Sequence, residues 1–265
     1  MGLKDVVIAI PSYKRSELLR DQTLRVLSEY NIPQNRIYVF VANKEEENIY
    51  LNVLKKHYSK VNIVIGELGL KEIRNFMPKY FKQGQYIFYL DDDIYALMEC
   101  VNHTGNKKDN KLVPLKSLKR LINKGFRLCE KHNCALWGIY PVYNPYFMKT
   151  KEDKKYYTND LKFIIGYGCG TINDHSCEYR HIGNKEDYER TIKYYLKYGG
   201  VIRFNNVTAK TKCYCEPGGL QSEGLKRRQE KELVGANYLL KTYPNLVFPK
   251  KTKSQFAEVR LVDKR

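Results

Sequence analysis

The chain has 265 residues, 43% of them hydrophobic, which suits one large domain with a sizeable core. Lysine and arginine number 47 against 29 acidic residues, a net charge of +18, and such a surplus suits a polyanionic partner, either nucleic acid or an anionic membrane surface. No run of about 18 apolar residues is present, which excludes a membrane-spanning helix.

The opening stretch "MGLKDVVIAIPSYKR" lacks the long apolar core of a secretion signal, and Val6 breaks the myristoylation match at Gly2. The expected setting is the cytoplasm, of the host cell if the protein is viral. Thiols stay reduced there, so the 7 cysteines are expected to be free. Cys213 and Cys215, with His175 and His181, are conceivable zinc ligands, but structural zinc sites favour wider paired spacings.

In chain order, "DVVIAI" predicts a strand and "PSYKR" a turn. "SELLRDQTLRVLSEY" places Leu18, Leu19, Leu24, Val26 and Leu27 at helical spacing, with Ser16 as N-cap. "RIYVFVA" is a second strand. "KEEENIYLNVLKKHY" is a second helix, acidic at its start and basic at its end, as the helix dipole favours. "VNIVIGE", "LKEIRNFMPKYF" and "YIFYL" continue as strand, helix and strand. Strands that are continuous apolar runs, alternating with helices, imply a parallel sheet covered on both faces.

After residue 94 the rhythm changes. "NHTGNKKDNKLVP" reads as a basic surface loop and "LKSLKRLINKGFRLCEKHN" as a helix. "CALWGIYPVYN" is a strand ending in a turn, and "FIIGYGCGTIN" a strand breaking into a glycine-rich loop. "EDYERTIKYYLKYG" is a helix ended by Gly199 and Gly200, and "VIRFNNV" is a strand. "CEPGGLQSEGLKRRQEKELVGANYLLKTYP" is a turn and a helix. The basic tail from Lys250 reads as either a mobile segment or an edge strand.

The chemistry concentrates where "YIFYL" ends. Asp91, Asp92 and Asp93 follow it directly, at the strand end where open α/β sheets bind ligands. Alternate residues share a side, so Asp91 and Asp93 converge while Asp92 faces away. Two converging carboxylates repel unless a cation joins them, and hard Mg²⁺ or Mn²⁺ also bridges carboxylates to phosphates. The competing reading is a solvated acidic turn with Asp93 capping a helix over "IYALMEC". The turn Pro11, Ser12, Tyr13 and Arg15 lies at the same edge and suits a nucleotide. Lys71, Arg74 and Asn75 share one face at a helix start, where basic residues oppose the dipole and an anion would justify them. Glu186 and Asp187 open a later helix, and a carboxylate there can act as general base or simply stabilise the helix dipole. "GYGCGT" (Gly166 to Thr171) could cradle an anion or shape a loop around an acceptor.

Taken together, "IPSYKR", "KEIRN", "YIFYLDDD" and a downstream "ED" helix resemble the GT-A glycosyltransferases. The segment "EDYERTIKYYLKYGGVIRFNNVTAKTKCYCEPGGLQ" is similar to the TET/JBP-associated DNA glycosyltransferases, found largely in phages and including the base J glucosyltransferase. The resemblance spans Val6 to Leu225. It implies a single GT-A-like (Rossmann-like) α/β domain with an open mixed sheet, mostly parallel and flanked by helices. Residues 1–95 would form the nucleotide-sugar half, and residues 96–265 the acceptor half with the basic tail. It further implies a UDP-sugar donor, UDP-glucose above all, and a hydroxymethylated pyrimidine in DNA as acceptor. Asp91 and Asp93 match the metal-binding pair, with Mn²⁺ or Mg²⁺ as the ion. Pro11, Ser12, Tyr13, Arg15, Lys71, Arg74, Asn75, Asp91 and Asp92 match nucleotide-facing positions. Asp187, with Glu186 as substitute, matches the base of an inverting transfer. A late histidine ligand has no clear match beyond His175 and His181. A DNA acceptor would explain the charge, with Lys107 to Lys111, Lys116 to Lys131, Lys226 to Arg228 and Lys250 to Lys253 as backbone contacts. The rival readings are a transferase acting on a glycan or protein, a non-enzymatic DNA-binding protein, and a nucleotidyl or phosphoryl transferase.

Overall fold

Val6 to Ile10 are all buried, the pattern of a strand covered on both faces, and they form β1 (Val6–Pro11). The computed structural model describes residues 5–211, 224–251 and 255–265. After β1 the chain enters α1 (Ser16–Leu19), a π turn (Arg20–Leu24) and α2 (Arg25–Glu29) without interruption. Ser16 is the first helical residue, and the cap position belongs to Arg15, which makes no side-chain capping bond. Next come β2 (Ile37–Val41), α3 (Lys44–Leu54), β3 (Asn62–Ile65), α4 (Leu70–Tyr80) and β4 (Tyr86–Tyr89). Asn43 caps α3 by accepting from the Glu46 N–H, as short polar side chains do at helix starts. These strands pair in parallel in the order β3-β2-β1-β4, as continuous apolar runs require.

The chain past the aspartates is β5 (Ile94–Val101), a strand where a capped helix was the competing expectation. The reason is strand pairing: Met98 to Val101 lie in an antiparallel ladder with Lys111 to Pro114, so no helix follows for Asp93 to cap. β5 pairs with β6 (Lys111–Pro114), a short strand inside the expected basic loop. α5 (Leu118–Lys131), capped by Ser117, leads to β7 (Leu136–Gly138) and β8 (Tyr157–Thr158).

The glycine-rich stretch reverses the expected order, with loop first and then β9 (Cys169–Ile172). Its glycines serve close packing. A Cβ on Gly170 would lie 2.2 Å from Trp137 Nε1, and one on Gly125 would meet the same indole from α5. β9 runs antiparallel between β4 and β7, completing an eight-stranded sheet in the order β3-β2-β1-β4-β9-β7-β10-β8.

α6 (His175–Glu178), α7 (Glu186–Tyr198), β10 (Ile202–Phe204), β11 (Val207–Thr211) and α8 (Leu225–Thr242) follow. Gly199 ends α7 at φ 76°, a left-handed conformation that glycine adopts freely. The tail forms its own hairpin, β12 (Val247–Pro249) with β13 (Val259–Leu261), and adds no edge to the main sheet. One apolar cluster joins α1, α2, α3 and α5 to one side of the sheet, and a second joins α4, α7 and α8 to the other. No described helix is long and apolar enough to cross a membrane.

Candidate functional site

The three aspartates leave the carboxyl end of β4 and have three different environments. Asp92 is buried, and its Oδ2 accepts from Ser12 Oγ at 2.6 Å. Arg15 Nη1 lies 3.4 Å from its Oδ1. Ser12 Oγ also lies 2.7 Å from the Tyr50 hydroxyl, which accepts from the Arg15 N–H. The turn after β1 is thereby locked to the turn after β4. Burial pushes the Asp92 carboxyl up to about 6, with Ser12 and Arg15 opposing.

Asp91 turns to α4, where Arg74 Nη2 reaches its Oδ1 at 2.5 Å. The Asp91 carbonyl accepts from Thr23 Oγ1 at 2.8 Å, and the same hydroxyl receives the Ile94 N–H. Thr23 is fully buried on the π turn and spans the triplet like a brace.

Asp93 is partly buried and has no hydrogen bond or ion pair with any other described residue. Burial, and then the charges of Asp91 and Asp92, push its carboxyl up to about 7. The charge of Arg15 opposes that rise without an ion pair to Asp93, and the donors there are carboxylate oxygens, the chemistry that Mg²⁺ and Mn²⁺ prefer. Among the described residues no three His, Cys, Asp or Glu side chains form a ready-made cluster. Asp93, and Asp91 through the oxygen that Arg74 does not hold, could serve such an ion only with its other ligands drawn from water and phosphate, as Mg²⁺ commonly does.

Arg74 links this turn to α7. It is buried, and its Nε lies 3.6 Å from Glu186 Oε1. Arg180 Nε donates to Glu186 Oε2 at 2.8 Å, and Arg180 also pairs with Glu178. Burial pushes the Glu186 carboxyl up, but Arg180 and Arg74 outweigh it and hold Glu186 below the usual carboxylate range. Its neighbour Asp187 moves the other way, raised by burial and by the charge of Glu186. Asp187 Oδ2 accepts from the Gly166 N–H at 2.8 Å, while Oδ1 has no hydrogen-bond partner and lies 3.6 Å from Arg190 Nη2. A Cβ on Gly166 would come within 2.7 Å of that carboxylate. The glycine stretch thus seats Asp187 and offers no empty N–H cradle, since the Gly168 N–H bonds to the Tyr89 carbonyl.

The other expected residues scatter around this centre. Pro11 ends β1, and Tyr13 is partly exposed with Lys14 Nζ 5.2 Å from its ring centre. Lys71 lies at the partly exposed start of α4 beside Glu72. Asn75 is taken up by the main chain of Arg180, accepting its N–H at 2.7 Å and donating to its carbonyl at 3.0 Å. Neither histidine joins the triplet. His175 lies 3.0 Å from the Phe81 carbonyl, at the end where β4 starts, and His181 pairs with Glu189. Cys213, Cys215 and the "GGLQ" segment lie outside the described residues, as does part of the Lys250 to Lys253 tail.

Sequence reasoning missed Thr23, Tyr50, Arg180 and Arg190. Thr23 carried a signal, a polar residue four positions after Leu19 on the apolar face of the helix. Arg190 carried another, standing three positions after Asp187 on α7.

No family model matches the chain, and no curated protein matches its sequence. Among solved structures it is similar to TarS residues 1–349 from S. aureus, with a TM-score of 0.50 and 13% identity, over 89% of this chain and 65% of that one. The fold is GT-A-like. At that identity the likeness is one of fold. A mannosyltransferase from Pyrobaculum calidifontis, in complex with GDP-Man and Mn²⁺, aligns with a TM-score of 0.47 and 12% identity, over 76% of this chain and 56% of that one. A 4-diphosphocytidyl-2C-methyl-D-erythritol synthase from Anaerococcus prevotii aligns with a TM-score of 0.43 and 12% identity, over 88% and 97% of the two chains.

Proposed function

We propose that the protein is a metal-dependent glycosyltransferase that moves glucose from UDP-glucose to the hydroxyl of a hydroxymethylated pyrimidine in DNA. The observation that carries this reading is Asp93, a partly buried carboxylate without a partner beside Asp91 at the strand end. Asp93 and Asp91 would hold the ion, and a bound Mg²⁺ or Mn²⁺ supplies positive charge to the diphosphate leaving group. Arg74 and Thr23 orient Asp91, one through its carboxylate and one through its carbonyl. Ser12, Arg15 and Asp92 fix the adjoining turn, from which Pro11 and Tyr13 would face the nucleotide. Lys71 lies nearby at the α4 start as a partner for its phosphates, and Asn75 holds α4 to the Arg180 segment.

The acceptor hydroxyl attacks the anomeric carbon, the bond from that carbon to the diphosphate oxygen breaks, and UDP departs. Asp187 takes the hydroxyl proton. Its raised pKa makes it the better base of the pair, whereas Glu186 is held ionised by Arg180 and Arg74 and accepts a proton poorly. A single displacement of this kind inverts the anomeric centre.

The test incubates the protein with Mn²⁺ or Mg²⁺, a panel of nucleotide-sugars, and DNA carrying hydroxymethylcytosine, hydroxymethyluracil or neither. Mass analysis of the nucleosides is expected to show a hexose on a hydroxymethylated base with UDP-glucose. Unmodified nucleosides under every condition would overturn the reading.

A further inference from the structure

The loop after β7 carries several exposed aromatic residues. Val142, Tyr143, Tyr146 and Phe147 are 48%, 44%, 52% and 60% exposed within a few residues of one another. Single exposed apolar residues are ordinary, whereas exposed aromatics gathered on one loop, two of them in ring contact, suit a binding surface. The loop is not slack. The Asn144 side chain accepts from the Tyr146 N–H at 3.1 Å, and the Phe147 N–H bonds to the Asn144 carbonyl at 3.3 Å. Asn110 Nδ2 reaches the Pro145 carbonyl at 2.9 Å, and Thr208 Oγ1 donates to the Tyr140 carbonyl at 3.0 Å. Tyr146 and Phe147 meet edge to face at 5.2 Å, so their rings present two differently tilted faces.

Strand register places this loop. Gly138 at the end of β7 lies opposite Cys169, and Cys169 lies opposite Tyr89 at the end of β4. Both steps are antiparallel, so β7 and β4 run the same way and end level. The chain after β7 therefore leaves the sheet at the same edge as Asp91, Asp92 and Asp93. One tyrosine links the loop to the seat of Asp187: the Tyr167 hydroxyl contacts the Pro141 carbonyl at 3.5 Å, and the preceding Gly166 holds the carboxylate.

Charge frames the aromatics. Asn110 staples the loop to the 3₁₀ turn at Lys107–Asp109. Lys107, Lys108 and Lys111 are exposed and form no ion pair among the described residues, and neither do Lys154 and Lys155 further along the chain. Aromatic faces beside unpaired lysines are the composition of single-strand nucleic-acid sites, where bases stack on rings and phosphates meet cations.

We propose that Tyr143, Tyr146 and Phe147 form a stacking platform for unpaired bases of a nucleic-acid strand, with Lys107, Lys108 and Lys111 on its phosphates. This deepens the proposed function and rests on it for the position of the acceptor. A platform of this kind favours an acceptor base out of the helical stack, because duplex bases have no free faces.

The test measures binding of the full chain to a labelled oligothymidylate and to a duplex by fluorescence anisotropy over a range of salt, without donor or metal. The Tyr143→Ala/Tyr146→Ala/Phe147→Ala variant is expected to bind the single strand about tenfold or more weakly, with an unchanged salt slope. Lys107→Gln/Lys108→Gln/Lys111→Gln is expected to flatten the slope of log K against log salt by about 2. Thermal melts of both variants should match the parent, since every substituted residue is exposed. Wild-type single-strand affinity in the aromatic variant, or no binding of the oligonucleotide by the parent, would overturn the proposal. Binding that depends on the platform in a protein that never transfers sugar would refute the glycosyltransferase reading while leaving the platform standing.

Discussion

Arg74 Nη2 meets Asp91 Oδ1 at 2.5 Å, and this contact joins α4 to the aspartate turn. The guanidinium is buried and its other side faces Glu186 on α7, so one side chain ties three parts of the site together. Removing one member of a buried ion pair leaves the other desolvated and uncompensated. Arg74→Met is therefore expected to lower unfolding free energy by about 3 kcal/mol, read from urea denaturation. Arg74→Lys should retain part of that stability, since it keeps the charge, but it loses the fork that reaches both carboxylates. Equal stability of Arg74→Met and the parent would show that the pair contributes nothing.

Asp93 links metal binding to pH. Its carboxyl stands at about 7 in the folded protein against an ordinary 3.8, so folding favours the protonated form. That contribution to stability is fully present below the unfolded value and is lost as pH rises through the folded one. Asp92, raised to about 6, acts in the same direction. Without metal, Asp93→Asn is expected to raise the melting temperature at pH 8 and to change it little at pH 4. Mn²⁺ should raise the melting temperature of the parent more at pH 8 than at pH 6, where protons compete for Asp93, and should do much less for Asp93→Asn. A metal response independent of both pH and Asp93 would place the ion elsewhere.

The two acidic residues opening α7 are neighbours in sequence and opposites in role. Asp187→Asn should reduce transfer by roughly a hundredfold or more, the range for loss of a general base, while leaving donor binding nearly unchanged. Glu186→Gln should act chiefly on stability, by about 3 kcal/mol, because it removes the charge that buried Arg180 and Arg74 share, leaving Arg180 only Glu178. Activity of the parent should fall on the acid side as Asp187 gains its proton, since burial and Glu186 raise that group. A larger activity loss in Glu186→Gln than in Asp187→Asn would reverse the assignment.

The sequence made the first half of the fold legible because its strands are mainly apolar runs and its helices carry apolar residues at helical spacing, although that spacing did not announce the π turn at Arg20–Leu24. The aspartates were legible through their place at a strand end. The partners that give each aspartate its environment were not. Asp92 after β4 finds Ser12 after β1, Tyr50 on α3 finds the Arg15 N–H, and Asn75 finds Arg180 across 105 positions, pairings that no local pattern encodes. Arg74, Arg180 and Arg190 are buried, against the ordinary preference of arginine for solvent, Arg74 and Arg180 because they neutralise carboxylates from separate elements and Arg190 beside Asp187 on its own helix. The glycine stretch was misleading for a similar reason. Its glycines answer to Trp137 and Asp187, neighbours that only the folded chain supplies.

Thr23 offers the sharpest test of how the aspartate turn is held. Its hydroxyl donates to the Asp91 carbonyl and accepts from the Ile94 N–H, so it satisfies both ends of the triplet with one atom. Thr23→Val keeps the shape and the β-branch but removes both bonds, leaving a buried N–H and a carbonyl without partners. The expected loss is about 1–3 kcal/mol for each buried group left unsatisfied. Because Asp91 and Asp93 flank the released segment, Mn²⁺ affinity should fall in Thr23→Val by more than the stability loss alone explains, measured at a temperature where the variant is folded. Thr23→Ser keeps the hydroxyl and should restore the affinity while recovering most of the melting temperature. If Thr23→Val binds Mn²⁺ like the parent, the turn holds its shape without the brace, and the positioning role assigned to Thr23 is wrong.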